Sequence, residues 1–303
     1  MEKNETKSLG LKIKIGDVIF YIFLTLFMLL FSVVTLYPVL NTLAISFNDG
    51  VDAMRGGVHL WPRIFTLQNY TTVLALRNIG HGALVSVLRT LIGTVLAVIA
   101  NALLAFIVSQ KNFVFRSQLS LFWVITMYVN GGMIPIMLLY KNLHLTNSFW
   151  VYVIPGMLNG FNMLVMRTYM EGLPDSLQEA AQIDGAGYMR IFVSVISPLC
   201  KPIYATVALF VAVGQWNSWF DTMLYNRMAD EYTTLQYELM KMLSAVTSLK
   251  GNAGAATTGT SVNITPISVR AAATIITMAP IVMLYPFLQR YFVAGLTIGG
   301  VKE

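Results

Sequence analysis

The sequence predicts an all-α membrane protein whose chain crosses the bilayer six times, and three observations predict it. Only 11% of the residues are charged while 56% are hydrophobic, where an ordinary soluble domain has about a quarter charged. Six stretches, 18–40, 90–109, 119–140, 147–166, 202–220 and 271–289, contain no Asp, Glu, Lys or Arg. Each matches the roughly 20 apolar residues that a helix needs to cross a hydrocarbon core about 30 Å thick. Finally, the Lys and Arg residues in the short connections lie mostly on one side.

The first span follows Lys3, Lys7, Lys12 and Lys14. It is longer than the apolar region of a cleaved signal peptide and lacks a small-residue cleavage site, so it reads as a retained anchor. Lys111 and Arg116 follow the second span and only Lys141 follows the third, which predicts a cytoplasmic N-terminus. Six crossings return the C-terminus to the same side. The expected organisation is a tail at 1–17, a span at 18–40, an outer loop at 41–89, a five-helix core at 90–290 and a C-terminal tail at 291–303. The core carries an inner loop at 171–198 and an outer loop at 221–268. Gly131, Gly132 and Pro135, with Pro280 and Pro286 in the last span, mark places where the helix ladder loosens or neighbours pack closely.

Function classes narrow by absence. Polar residues within the spans are uncharged, among them Asn101, Asn130, Asn159, Asn162, Gln215 and Asn217. An ion-coupled carrier needs an intramembrane ionisable relay. No phosphate-binding G-x-x-x-x-G-K-[ST] loop, zinc-protease H-E-x-x-H or hydrolase G-x-S-x-G occurs, so the chain reads as no enzyme, energised by a partner if at all. Cys200 is the only cysteine, and His59, His81 and His144 stand far apart, a pattern without a disulfide framework or metal cluster. The net charge of +6 comes from scattered residues with no basic–aromatic groove for nucleic acid.

The most informative segment runs from Glu171 to Arg190. Pro174 ends the preceding helix, Ser176 and Glu179 have capping-box spacing, and Gly185 with Gly187 supplies a stop. A short helix is predicted from Leu177 to Asp184. Leu177, Ala180, Ala181 and Asp184 share one face, and their small side chains suit close approach of another surface.

Glu179-Ala180-Ala181, Gly185 four residues on and Pro198 thirteen residues after that resemble the EAA loop of ABC importer permeases. Val195 and Ser197 stand where that pattern prefers Ile and Leu. The tail from Gln289 to Lys302 is similar to that of carbohydrate permeases resembling the second permease of the maltose importer. The resemblance implies a type I ABC importer permease fold in a prokaryotic cell membrane, with both termini cytoplasmic. It implies a second, similar permease, two ATPase subunits that bind ATP and Mg, an extracytoplasmic solute-binding protein and a carbohydrate substrate of the oligosaccharide class. The coupling contacts it implies are Glu179, Ala180, Ala181, Asp184 and Gly185, with Arg190 and with Gly299, Gly300 and Val301 in the tail. None is catalytic, and no cofactor is expected in this chain.

In the outer loops, Trp61 and Tyr70 suit the membrane–water boundary. Leu235, Leu239, Met242, Val246 and Leu249 recur at helical spacing ahead of a Gly/Ala/Thr-rich linker, which predicts an amphipathic helix. Sugars are held by planar amides and aromatic faces, so Asn130, Asn159, Asn162, Trp216, Asn217 and Trp219 are the candidates for lining a pathway. Interhelical hydrogen bonding and interfacial anchoring are the alternative roles for these residue types.

Overall fold

The structure, a computed structural model, describes residues 15–251 and 265–297. The described residues are helical apart from turns and one isolated antiparallel bridge, Asn48 to Phe65. In chain order the helices are α1 (Ile15–Ser46), α2 (Gly50–Met54), α3 (Gln68–Ala75), α4 (Arg77–Ser109), α5 (Arg116–Tyr128), α6 (Met133–Asn142) and α7 (Gly160–Glu171). They continue as α8 (Asp175–Ile183), α9 (Tyr188–Ile191), α10 (Ser197–Leu199), α11 (Lys201–Asn217), α12 (Phe220–Tyr225), α13 (Leu235–Gly251) and α14 (Pro266–Thr297). By contacts the chain divides into two units, Met1–Asn69 with Ser261–Ala272, and Tyr70–Thr260 with Ala273–Glu303.

In the first unit, α1 is exposed on nearly every side over residues 16–40. A helix apolar all round is at home only in lipid or against other membrane helices. After α1 the chain folds around two buried amides. The Asn48 carbonyl accepts the Arg63 and Ile64 amides at 2.7 and 3.0 Å, and its amide donates to Asp52 at 2.9 Å. Asn69 donates to the carbonyls of Ser46 and Asn48, both at 2.9 Å. Asp49 caps α2 by accepting from the Val51 and Asp52 amides, and the Thr265 hydroxyl donates to the Gly50 carbonyl at 3.1 Å. The predicted outer loop is therefore an ordered cap closed by side-chain hydrogen bonds.

In the second unit α4 is the central post, with α7 and α11 packed on it. Ala102, Ala105 and Phe106 of α4 meet Met163, Met166 and Met170 of α7, and Ile203 and Val207 of α11. Phe106 and Phe192 lie with ring centroids 5.1 Å apart. Small residues permit the close approach that drives helix association in lipid. A Cβ on Gly160 would stand 2.9 Å from the Trp123 carbonyl oxygen, so α5 and α7 touch through that glycine.

Among the described residues, three helices are long and apolar enough to span a bilayer, Gly16–Ser46, Arg77–Ser109 and Pro266–Met283. Two bent helix pairs pass the same length and composition criteria only when each pair is taken together. Arg116–Tyr128 and Met133–Asn142 meet at 116°, and Tyr188–Leu199 and Lys201–Asn217 at 81°. The first bend falls at the predicted Gly131-Gly132 break, and the second follows a π-helical turn at Phe192–Ile196. The predicted fourth span is not one helix. Residues 147–166 hold a 3-10 turn at Phe149–Tyr152, then an irregular stretch, then the start of α7. Pro155 lacks the amide that a continuing helix needs. Asn159 begins a new helix, its side chain accepting the Asn162 amide at 3.2 Å. The helix α4 also starts well before residue 90, so Arg89 lies inside a helix rather than in a loop. The predicted amphipathic outer helix is α13, whose Leu235 and Leu239 are buried.

Candidate functional site

Two regions of the second unit carry the candidate residues. The first is α8 and its surroundings. Pro174 takes the N-cap position in extended conformation, and no side-chain cap bond forms. The expected Ser176–Glu179 capping box is therefore absent. With Pro174 fixed in φ and Asp175 well placed in the first turn against the helix dipole, the helix starts two residues earlier than predicted and Ser176 falls within it. The C-terminal stop is as predicted. Gly185 has φ of 78°, its amide donates to the Gln182 carbonyl at 3.0 Å, and the Ala186 amide reaches back to Ala181 at 2.9 Å. These two bonds form a Schellman motif, which only a residue at ease in the left-handed region closes without strain.

The helix shows its two faces clearly. Gln178 and Ala181 are half-buried, and Ala181 and Ala186 pack on the core of α4, α7 and α11. Ser176, Glu179, Ala180, Ile183 and Asp184 are exposed, Ile183 to 86%. The small-residue stripe thus divides: Ala181 anchors α8 to its own subunit and Ala180 faces away. Arg190, on α9, is exposed, and Gly299, Gly300 and Val301 lie outside the described residues.

Ion pairs brace this region. Lys111 pairs with Asp175 at the start of α8. Glu171, at the end of α7, accepts from Arg116 at 2.5 Å and Arg167 at 2.7 Å. Partial burial pushes the Glu171 carboxyl upward, but the hydrogen bonds and charges of Arg167 and Arg116 outweigh it and hold the group below the ordinary glutamate value.

The second region is a cavity of about 750 Å³. Its wall includes Tyr140 of α6, Tyr152 of the 3-10 turn, Asn159 and Asn162 at the start of α7, Gln215 of α11, and Asp221 and Tyr225 of α12. Arg89 of α4 also lines it, although only 2% of its side chain is exposed. The Arg89 guanidinium donates to Asp221 Oδ2 at 2.5 Å and Oδ1 at 3.3 Å, and to Gln215 Oε1 at 3.0 Å. Its Cζ stands 4.2 Å from the centroid of the Tyr152 ring. Gln215 donates in turn to the Tyr152 carbonyl at 2.9 Å, so one amide ties α4 and the 3-10 turn to α11. The Tyr140 and Tyr225 ring centroids are 5.1 Å apart.

Of the six residues singled out for the pathway, Asn159 and Asn162 line this cavity. Asn130 lies in the break between α5 and α6, where its carbonyl accepts the Gly132 amide at 2.8 Å. Trp216 anchors α11 to α14 by donating to the Thr277 carbonyl at 2.9 Å. Asn217 ends α11 exposed, and Trp219 sits edge-to-face on Phe220. Sequence reasoning missed Arg89 and Asp221, because both were assigned to loops and their contact spans 132 residues. The signal available was that each borders an uncharged stretch, where a charged side chain is costly unless paired.

No protein-family model matches the chain. The chain is 30% identical over 276 residues to the polygalacturonan/rhamnogalacturonan transport system permease protein YtcP of Bacillus subtilis, covering 91% of this chain and 96% of that protein. It is 31% identical over 272 residues to protein LplC of the same organism, covering 89% and 90%. Among solved structures it matches a chain of a bacterial ABC transporter involved in the import of the acidic polysaccharide alginate. That match has a TM-score of 0.81 at 27% identity and covers 92% of this chain and 98% of the other. The all-α fold is that of an ABC importer permease, a membrane component whose ATPase activity lies in a separate subunit, and the chain belongs to the carbohydrate ABC transporter permeases.

Proposed function

We propose that this permease forms half of the translocation pathway of an ATP-driven importer for an oligosaccharide and that α8 couples it to the ATPase. The observation that carries the coupling reading is the two-faced packing of α8: Ala181 seated on the subunit's own core, with Glu179, Ala180 and Ile183 turned outward. An exposed isoleucine beside a small residue offers a partner apolar area at close range, and the Schellman turn and the Lys111–Asp175 pair fix the helix that presents it. Asp184, Gly185 and Arg190 complete the proposed contact set, and Gly299, Gly300 and Val301 supply a second one.

The partners in this reading are a second permease, two ATPase subunits holding ATP and Mg, and an extracytoplasmic solute-binding protein. Both termini are cytoplasmic, and the organisation is that of a first span, an outer cap and a five-span core. The oligosaccharide class is supported by the polygalacturonan/rhamnogalacturonan permease named above and by the alginate importer.

The test is co-purification of the assembled transporter in mild detergent with Ala180→Asp and Ile183→Asp. Ala181→Asp is a poor probe, because it would disturb the subunit's own core. Loss of the ATPase with retention of the second permease is the expected result. Retention of the ATPase and of full sugar-stimulated hydrolysis in both variants would remove α8 from the coupling path.

A further inference from the structure

We propose that the cavity walled by Arg89, Tyr140, Asn159, Asn162, Asp221 and Tyr225 is a subsite for a neutral sugar ring and that it discriminates against uronate rings. The proposal rests on the reading of the chain as an importer permease and adds the chemistry of what it passes, which would set this chain apart from the polygalacturonan permease and the importer of acidic alginate that it resembles.

Size and lining suit a sugar. About 750 Å³ falls within the range of small-molecule sites, roughly 300–1,000 Å³. Tyr140 and Tyr225, a tilted pair on the cavity wall, offer aromatic surface to the C–H groups of a pyranose. Asn162 is only 8% exposed, and among the described residues its side-chain amide has no hydrogen-bond partner. The Asn162 side chain lines the cavity, where a ligand hydroxyl supplies both a donor and an acceptor for its amide. The amide nitrogen of Asn159 is likewise uncommitted among the described residues, its carbonyl being used by the Asn162 backbone.

Charge decides the class. The lining contains two charged side chains, Arg89 and Asp221, and they neutralise each other. All three guanidinium nitrogens are engaged: Nε with Gln215, Nη1 with Asp221 and the Ser218 carbonyl, Nη2 with Asp221. One face of the group is covered by Tyr152. A uronate carboxylate entering here would meet no free cation and would face the Asp221 carboxylate, whereas a hydroxyl can use the lone pairs that Asp221 retains.

Position fits delivery. With the N-terminus inside, α4 and α7 run inward from the outer face, and α6 and α11 run outward. The cavity uses the early part of α4, the start of α7 and the ends of α6 and α11, all in the outer half of the subunit.

The test measures equilibrium binding of tritiated maltotetraose, xylotetraose, arabinotetraose and tetragalacturonate to the complete transporter in nanodiscs, without the solute-binding protein. At least one neutral probe is expected to bind more tightly than tetragalacturonate by about tenfold or more, a difference of about 1.4 kcal/mol. Asn162→Ala is expected to weaken that binding about fivefold, the worth of a neutral hydrogen bond. Asp221→Asn, which frees the Arg89 charge, is expected to raise tetragalacturonate binding relative to the neutral probe. Assembly of each variant is checked by gel filtration, and Tyr225→Ala serves as a second lining variant if Asn162→Ala does not assemble. Equal or tighter binding of tetragalacturonate, binding of no probe, or unchanged affinity in the assembled lining variant overturns the proposal. ATP-driven uptake of the same probes into proteoliposomes with the solute-binding protein tests the importer reading separately, since uptake can persist when the subsite is wrong.

Discussion

The cavity and the coupling helix answer the same polar-group problem in opposite ways. Around the cavity, a buried cation is closed off by Asp221, Gln215 and the Tyr152 ring, and its strength is internal. Around α8, the charged groups lie at or near the surface, and Lys111 and Asp175 are more than half exposed. Among the described residues, the outward side chains of Glu179, Ala180 and Ile183 have no hydrogen bond or ion pair within the subunit. A region that has satisfied its own groups holds a shape for a ligand; a region that leaves an apolar face open needs another protein to complete it.

The contrast is broken most severely at Arg89. Arg89→Ala leaves Asp221 partly buried without its cation and is expected to destabilise the second unit by about 3–5 kcal/mol, read as a lowered unfolding temperature in detergent. The double variant Arg89→Met with Asp221→Leu is expected to recover most of that loss, because no lone charge remains. If the single and double variants are equally unstable, the pair matters for its shape alone.

Gly160→Val comes next. Its Cβ would meet the Trp123 carbonyl oxygen at 2.9 Å, and overpacking of this kind costs about 1–3 kcal/mol. The measured quantity is again thermal stability, and a variant as stable as the parent would mean that α5 yields at no cost.

On the coupling side the effects on stability are small and the effects on transport large. Ile183→Asp on an exposed face is expected to change stability by no more than about 0.5 kcal/mol while abolishing ATP-driven uptake. Lys111→Ala and Asp175→Asn remove an exposed ion pair worth about 0–1 kcal/mol, and any change in uptake should shrink as salt rises.

The smallest effect is on pH. The Glu171 carboxyl is held below the ordinary glutamate value, so its contribution to stability is present above that value, about pH 4.3, and is lost as pH falls through the lowered one. Glu171→Gln is expected to flatten that acid limb of the stability profile; an unchanged limb would assign it to other carboxylates.

How much of this was legible in the sequence follows the same division. The helix α8 was readable because its determinants are local: Gly185 at the stop, small residues at three- and four-residue spacing, and Pro174 ahead of them. The face that Ala181 presents was not, because its packing on the buried core cluster depends on residues far away in the chain. Apolar composition located the membrane stretches, yet it hid the break at Pro155 and Asn159, where local capping overrides hydrophobicity. Asn159 and Asn162 were recoverable as amides within an apolar stretch. Arg89 and Asp221 were not recoverable as a pair, since only the fold joins α4 to the start of α12.

The central claim, that the outward face of α8 meets the ATPase, is tested most directly by scanning single cysteines through the helix in the assembled transporter. Ser176→Cys, Glu179→Cys, Ala180→Cys and Ile183→Cys are compared with Gln178→Cys and Ala181→Cys, Cys200 being buried, and each is treated with a short thiol-reactive crosslinker. Crosslinks to the ATPase subunit at the first four positions and none at the last two are the predicted pattern. Crosslinks at all six alike, or at none, would contradict it.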